Sequence, residues 1–502
     1  MIKKYFIFFL IIVGIQNTAA QNITGQIVDA DTGESLAHAN IQVNETENIV
    51  SNEEGFFALP DKTEDDALIT ISFLGYKSAA LTAADLKNNK IIRLQPGVFE
   101  LEMVYVSNRQ NDPDSIMAMV KRNLGNNYKP LDMSVKKMMF FRETSSFRPS
   151  KLDIKLSEST GYSKAELKES NVHLNSLTSR LIANPPQQYT DKLCNYYTAK
   201  KTVNGKQLLQ SKFEVVKAVK LKDKSRSISL DEVEELGAGV LMKHIDTTKY
   251  YRVKSGLFGT RDTVLSRNDF RKDEKANENK STTEKFNLDR FLGSHNLAYS
   301  HYLDFARNIQ FYEYTFAGTT LSDNDDVVYI INFKPSKRKA KYRGTLYVSA
   351  KDYGIIRADY NLAEGKTLSG VNLKFLLGVK QSENASKGIM IFKENPTGSG
   401  YYLQYASKET GEYIYINRPV KFIEITDGDK DIVAFDFKVE ANMVDKEEYF
   451  MVSQDEISET DYDNVKETNF NYIQLDNYDP NIWKEYTTIE PSQEMKQFRT
   501  IE

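Results

Sequence analysis

The stretch that decides the fold at the front of this chain is residues 23–59, ITGQIVDADTGESLAHANIQVNETENIVSNEEGFFAL. Ile23, Gly25, Ile27 and Val28 read as a strand running into DADTGE, a turn rich in Asp and Gly. Ala39, Ile41 and Val43 alternate as a second strand. The acidic SNEEG that follows is either a ligand site or a turn. Asn52 can accept bonds from backbone amides just downstream, Gly55 can take a positive φ, and Phe56 or Phe57 then enters a core. Calcium also uses clustered carboxylates, but in an ordered loop with several more oxygen ligands. Asn52, Glu53 and Glu54, like Asp29, Asp31 and Glu34, therefore read as turn residues.

Further along, ALITISFLGYKSAAL continues the alternation through Leu68, Thr70 and Ser72, and KIIRL and LEMVYVS close the set near residue 107. Six or seven short strands, each bounded by a turn signal, describe a β-sandwich. GQIVDADTGESLAHANIQV, SNEEGFFAL and ISFLGYKS together resemble the carboxypeptidase regulatory-like domain, a transthyretin-like sandwich, over residues 22–107. The resemblance implies an accessory module. In that family it accompanies zinc carboxypeptidases and also fronts outer-membrane nutrient importers and other envelope proteins.

The first 20 residues speak to location. Lys3 and Lys4 precede an apolar run from Tyr5 to Ile15, and Thr18-Ala19-Ala20 supplies small residues before Gln21. This is the pattern of a secretory signal peptide, with an apolar run too short for a comfortable membrane span. The expected location is periplasmic or outer-membrane associated in a Gram-negative cell. Cleavage removes two of the 66 basic residues and none of the 70 acidic ones, so 64 − 70 leaves a charge of −6. That balance argues against nucleic acid as a partner. Cys194 is the one cysteine, so no internal disulfide forms and the thiol reads as buried and inert. No later apolar run approaches the ~18 residues of a membrane helix, and the closing QFRTIE does not look like the last strand of a membrane barrel.

Asp112 and Pro113 open a linker helix within 108–130, with Ile116, Met119, Val120 and Leu124 on one face. From 131 to 502 the pattern is mostly strands, a large antiparallel β-rich domain with a few helices. SLDEVEELGAGVLMK, from Ser229, reads as one such helix. Residues 265–290, charged and poor in apolar residues, read as a flexible loop or a solvated helix outside any core. In RGTLYVSAKDYGIIRADYNL, Leu346 and Val348 share a strand face, and the chain turns and returns with Ile356, Ala358 and Tyr360. Long antiparallel strands of this kind suggest a broad curved sheet, similar to the half-barrel of periplasmic lipoprotein carriers. Its concave face is then the candidate ligand-binding surface, lined by Leu346, Val348, Ile356 and Phe375. Trp483 lies in a polar tail, where its indole is expected to anchor the C-terminal segment.

The search for chemistry returns little. None of the five histidines has Glu three residues on, and there is no HExxH, so the catalytic half of the carboxypeptidase family is absent. His295 and His301 are six apart, with Asp304 nearby, and read as ordinary structural residues. No G-x-S-x-G elbow, P-loop or dinucleotide fingerprint occurs. Tyr401, Tyr402, Tyr405, Tyr413 and Tyr415 read as cross-strand aromatic pairs. No catalytic residue, metal or cofactor is assigned. The expectation is an exported, non-catalytic cell-envelope protein that binds an envelope protein, a lipid or a glycan. A hydrolase of cell-wall or glycan substrates, with two close carboxylates somewhere in 131–502 or with His295 and His301 beside an acid, is the alternative, and a subunit or regulator of an outer-membrane complex is a third.

Overall fold

The computed structural model describes residues 23–97, 112–131, 133–221, 249–255, 258–265, 281–396 and 400–498. The signal peptide expected at 1–20, the strand expected at 101–107 and the helix expected from Ser229 lie outside these residues. The protein is mainly β and divides into two units. One is Met1–Gly97 with Pro480–Ser492, and the other is Val98–Asp479 with Gln493–Glu502.

In the first unit, β1 (Thr24–Asp29), β2 (Asn40–Val43), β3 (Glu47–Val50), β4 (Phe56–Ala58), β5 (Leu68–Ser72), β6 (Ala79–Thr82) and β7 (Ile91–Leu94) make two sheets. Their orders are β4-β1-β7 and β3-β2-β5-β6. Ile27, Ile41, Ile49, Phe57, Ile69 and Ile71 fill the core between them. In LITIS the inward residues are Ile69 and Ile71, while Leu68 is exposed. The two isoleucines are the more apolar register, against Leu68, Thr70 and Ser72 on the other. A short helix, α1 (Ala83–Asn88), precedes β7 and is opened by a capping box between Thr82 and Asp85.

Both acidic stretches are turns. Asp29 Oδ1 accepts from the amides of Asp31 (2.7 Å) and Thr32 (2.8 Å), and Oδ2 accepts from the Tyr76 hydroxyl at 2.6 Å. The Tyr76 bond and these amides hold the Asp29 carboxyl below its usual range. Asn52 Oδ1 accepts from the amides of Glu54 and Phe56, both at 2.9 Å, and Gly55 has φ +76°. A Cβ at Gly55 would stand 2.5 Å from the Ile27 carbonyl oxygen, so the turn needs glycine both for its φ and for space. The same Asn52 uses its Nδ2 to donate to the Pro491 carbonyl at 3.1 Å. Residues 480–492, assigned from sequence to the β-rich domain, thus belong to the sandwich. There Trp483 is buried, with the Tyr486 ring edge-on at 6.2 Å.

The second unit opens with α2 (Pro113–Asn127), capped by Asp112, whose carboxylate accepts from the Ser115 amide at 3.0 Å. Then come β8 (Val135–Ser159), α3 (Lys164–Ala183), β9 (Gln187–Val203), β10 (Lys206–Leu221), β11 (Tyr251–Ser255), β12 (Phe258–Leu265) and α4 (Ser281–His295). β13 (Tyr312–Leu321), β14 (Val327–Pro335), β15 (Tyr342–Ser349), β16 (Ile355–Leu362) and β17 (Gly370–Leu373) precede α5 (Lys374–Leu377). β18 (Val379–Glu394), β19 (Tyr401–Glu424), β20 (Ile432–Glu456), α6 (Glu459–Asn464), β21 (Ile473–Leu475) and α7 (Gln493–Lys496) complete it. All fourteen strands join one sheet, whose main path is β13-β14-β15-β16-β18-β19-β20-β8-β9-β10-β21. Every pairing is antiparallel except that of β10 with β21.

One core takes residues from both flanks of this sheet, Tyr314 on β13 and Phe213 on β10, together with Ile116 and Val120 of α2 and Phe291 of α4. A sheet whose distant strands share a core has to curve around what fills it. The helices are that filling. Ile116, Val120 and Leu124 of α2 are buried as expected, while Met117 is fully buried and Met119 only half-buried, so Met117 takes the place expected of Met119. Part of the charged stretch 265–290 is corrected too: α4 begins at Ser281, and its Leu288 is a core residue, joined there by Phe291 just past the stretch. The apolar pair sits at the C-terminal end of a run dominated by charge, which masks it in composition.

Candidate functional site

The four residues expected to line a ligand-binding face do not come together. Leu346 and Val348 are fully buried, with Ala358 and Ile355 as their cross-strand partners. Their face is closed rather than open. The Tyr128 hydroxyl donates to the Ile355 carbonyl (2.9 Å) and accepts from the Ile355 amide (2.7 Å), and the Phe305 ring lies 4.7 Å from Phe333 and 6.1 Å from Tyr360. Ile356 sits at the register shift where Tyr347 pairs Arg357 and Val348 pairs Ile355, so it is the extra residue of a bulge. Phe375 is on α5, completely exposed. The concave side of the sheet is a packed core, because α2, α4 and the segment around Phe305 occupy it.

The histidines also separate. His295 ends α4, is buried, stacks on Phe291 at 4.1 Å, and places Nδ1 2.8 Å from the Phe291 carbonyl. Burial pushes its pKa down to about 4. His301 is exposed, and Asp304 accepts from Tyr312 and Asn308. No group of three or more His, Cys, Asp or Glu able to hold a metal ion occurs among the described residues.

What the sheet does assemble is a charged cluster. Lys192 on β9 reaches Glu143 of β8 at 2.9 Å and Glu284 of α4 at 2.6 Å. Burial alone would lower the Lys192 pKa, but the two carboxylates overcome it and keep the ammonium charged. Glu143 also faces Glu447 directly across the β8–β20 ladder, which puts their Cβ atoms about 5 Å apart. Burial raises the Glu447 pKa and Glu143 adds to the rise, against Lys408 at 4.0 Å and Arg290. The Glu143 and Glu447 side chains are 36% and 32% exposed, so solvent reaches both. A carboxyl biased toward its acid form beside an ion-paired carboxylate can pass and accept a proton. Cys194, one alternation along β9, is buried, and burial pushes its thiol up, away from the reactive thiolate. The sequence singles out none of these carboxylates, since acids are spread through the whole region and the pairing that joins residues 143 and 447 is not visible in it.

Arg142, the neighbour of Glu143, turns to the opposite face. Its Nε and Nη2 each meet an Asp191 carboxylate oxygen at 2.8 Å. Burial opposes the Arg142 charge and Asp191 restores it. Glu448 is buried close by, accepting from the Tyr405 hydroxyl at 3.1 Å and paired with Lys446 at 3.1 Å. These groups tie β8, β9, β19 and β20 together.

Residues 23–106 match the CarboxypepD_reg-like domain, so the front module is a domain of that kind. No curated protein is similar enough to match the chain. Among solved structures, a candidate membrane-associated protein of unknown function from Bacteroides fragilis NCTC 9343 is 11% identical. That match covers 39% of this chain and 95% of that one, with a TM-score of 0.11. A DUF1329 family protein from Desulfovibrio piger ATCC 29098 is 10% identical, covering 65% of this chain and 91% of that one, with a TM-score of 0.15. Scores this low carry no argument about the second unit.

Proposed function

We propose that this chain, fronted by a carboxypeptidase regulatory-like domain, is an exported, non-catalytic protein of the cell envelope that binds a partner in the periplasm or at the outer membrane. The domain at residues 23–106 carries the reading, because the family resemblance gives that module an accessory role rather than a chemical one. The signal-peptide pattern at the N-terminus supports export. No helix among the described residues is long and apolar enough to cross a membrane, which leaves strands unaddressed. Export thus rests on the leader pattern and partner binding on the module. The partner is an envelope protein, a glycan or a lipid. Native mass spectrometry of the mature protein, purified gently from its own envelope, tests this: a co-purifying partner is expected, and a bare monomer would count against it.

One observation favours a second reading, a hydrolase of cell-wall or glycan substrates. Glu447, with its raised pKa, faces Glu143 within reach of solvent. Glycoside hydrolysis uses two carboxyl groups of unlike protonation. Turnover of peptidoglycan fragments or oligosaccharides that Glu447→Gln abolishes, with the fold unchanged, would replace the binding reading.

A further inference from the structure

At the edge of the large sheet, β17 pairs, among the described residues, only with β18, and α5 closes the hairpin they form. Every residue from Ser369 to Leu376 is exposed. Val371, Leu373, Phe375 and Leu376 are 52, 37, 100 and 74% exposed, so four large apolar side chains stand in solvent within six residues. Isolated exposed apolar residues need no explanation, but a contiguous set does. The hairpin holds a fixed shape. Gly378 has φ +65°, a Cβ there would meet the Asn417 carbonyl oxygen at 2.1 Å, and the Asn417 amide donates to the Gly378 carbonyl at 2.7 Å.

The surroundings are those of a water–lipid boundary. From Gly365 to Ser382 the chain has three lysines, Lys366, Lys374 and Lys380, and no acid, in a protein whose net charge is −4. Lys374 lies 4.0 Å over the Tyr415 ring and Lys380 5.2 Å over the Tyr413 ring. Carboxylates border the hairpin without lying in it: Glu364 precedes Gly365, and Glu383, Glu412 and Glu440 accept from Ser369, Gln381 and Tyr413. Tyrosines and lysines beside an apolar projection are the arrangement that settles at a headgroup layer, with the ammonium groups meeting anionic lipid. A protruding apolar tip also suits a fluid hydrocarbon layer, which needs no shaped pocket.

We propose that the β17–α5–β18 hairpin inserts into the surface of an anionic lipid bilayer, through Phe375 and Leu376 at its tip and Lys374 and Lys380 at its rim. The inference deepens the partner-binding reading above by naming a lipid surface as one partner. It is tested with the intact mature chain in co-sedimentation with vesicles of phosphatidylcholine alone or with about one third phosphatidylglycerol, a fraction chosen to give a clear negative surface potential. Binding to the anionic vesicles is expected, weakened by salt and by Lys374→Gln with Lys380→Gln, and reduced at least 10-fold by Phe375→Ser with Leu376→Ser, side chains the fold does not use. Phe375→Trp gives an indole that acyl-brominated lipid should quench, while buried Trp483 is not quenched. No vesicle binding, binding untouched by the serine pair, or no quenching of the new indole in the bound state would overturn the proposal. Self-association abolished by Phe375→Ser without vesicle binding would overturn it in favour of a second copy. A protein or glycan captured by a chain that ignores vesicles would sink this inference and leave the broader reading standing.

Discussion

The side-chain amide of Asn52 donates to the main-chain carbonyl of Pro491 across 439 residues of sequence, while its oxygen organises the local turn. One buried side chain therefore serves two structures. Nearby, the Asp61 amide donates to the Lys484 carbonyl at 3.1 Å, so the late segment is held by more than one bond. Asn52→Ala removes the amide's acceptor for two backbone N–H groups and its own donor together, at about 1–3 kcal/mol. The expected result in denaturant unfolding is a lower midpoint for the first unit, with faster protease cleavage in 480–492. An unchanged cleavage rate would show that the tie to Pro491 contributes nothing.

His295 makes stability depend on pH. Its imidazole is neutral in the fold, with a pKa of about 4 against 6.5 when free, so the unfolded chain takes up a proton first as pH falls. Its contribution is fully present above pH 6.5 and is lost progressively down to pH 4. The shift corresponds to roughly 3 kcal/mol. His295→Gln should flatten the unfolding midpoint over that window, and a slope identical to that of the unmodified protein would refute the assignment.

Arg142 and Asp191 behave differently when broken singly and together. Asp191→Ala strands a buried guanidinium and should cost about 3–5 kcal/mol. Arg142→Met with Asp191→Leu removes both charges and should recover at least half of that loss in equilibrium unfolding. A double variant as unstable as the single one would mean that the pair sustains the wider network rather than itself.

Glu447 carries a penalty for being charged. Its pKa is raised by burial and by Glu143, so stability falls as pH rises through that raised value. Glu447→Gln should therefore raise the melting temperature at pH 7 and lose that advantage below the ordinary carboxylate pKa of about 4.3, where both states are protonated. A lower melting temperature at neutral pH would show that its contact with Lys408 outweighs the repulsion.

The front module was legible because its information is local. Turn residues such as Asn52 and Gly55 act within five positions, and strand alternation needs no partner to be seen. The tie from Asn52 to Pro491 was not legible, since nothing near residue 52 signals residue 491. In the second unit, strand character was readable but geometry was not. Alternation puts Ile356 in phase with Leu346 and Val348, yet a bulge takes it out of phase, and bulges leave little trace in a run where neighbouring positions are both apolar. Whether Leu346 faces a cavity or a core depends on α2 and α4, residues more than 50 positions away. Phe375 is legible as apolar, but its exposure follows from its place on α5, the turn of a hairpin at the sheet's edge.

The pairing of β8 with β20 has a consequence for how the chain reaches its native state. Val135 is registered with Glu456 and Ser159 with Val433, so the middle of the sheet joins segments nearly 300 residues apart. Contacts of such high sequence separation are slow to form. Until residues 432–456 are in place, β8 and β19 each present a long unpaired edge, 25 and 24 residues, to any other strand nearby. The sandwich waits longer still, for residues 480–492. A chain that joins early and late segments in both units completes neither until residues as late as 456 and 491 are available, and its longest strands stay open-edged in the interval.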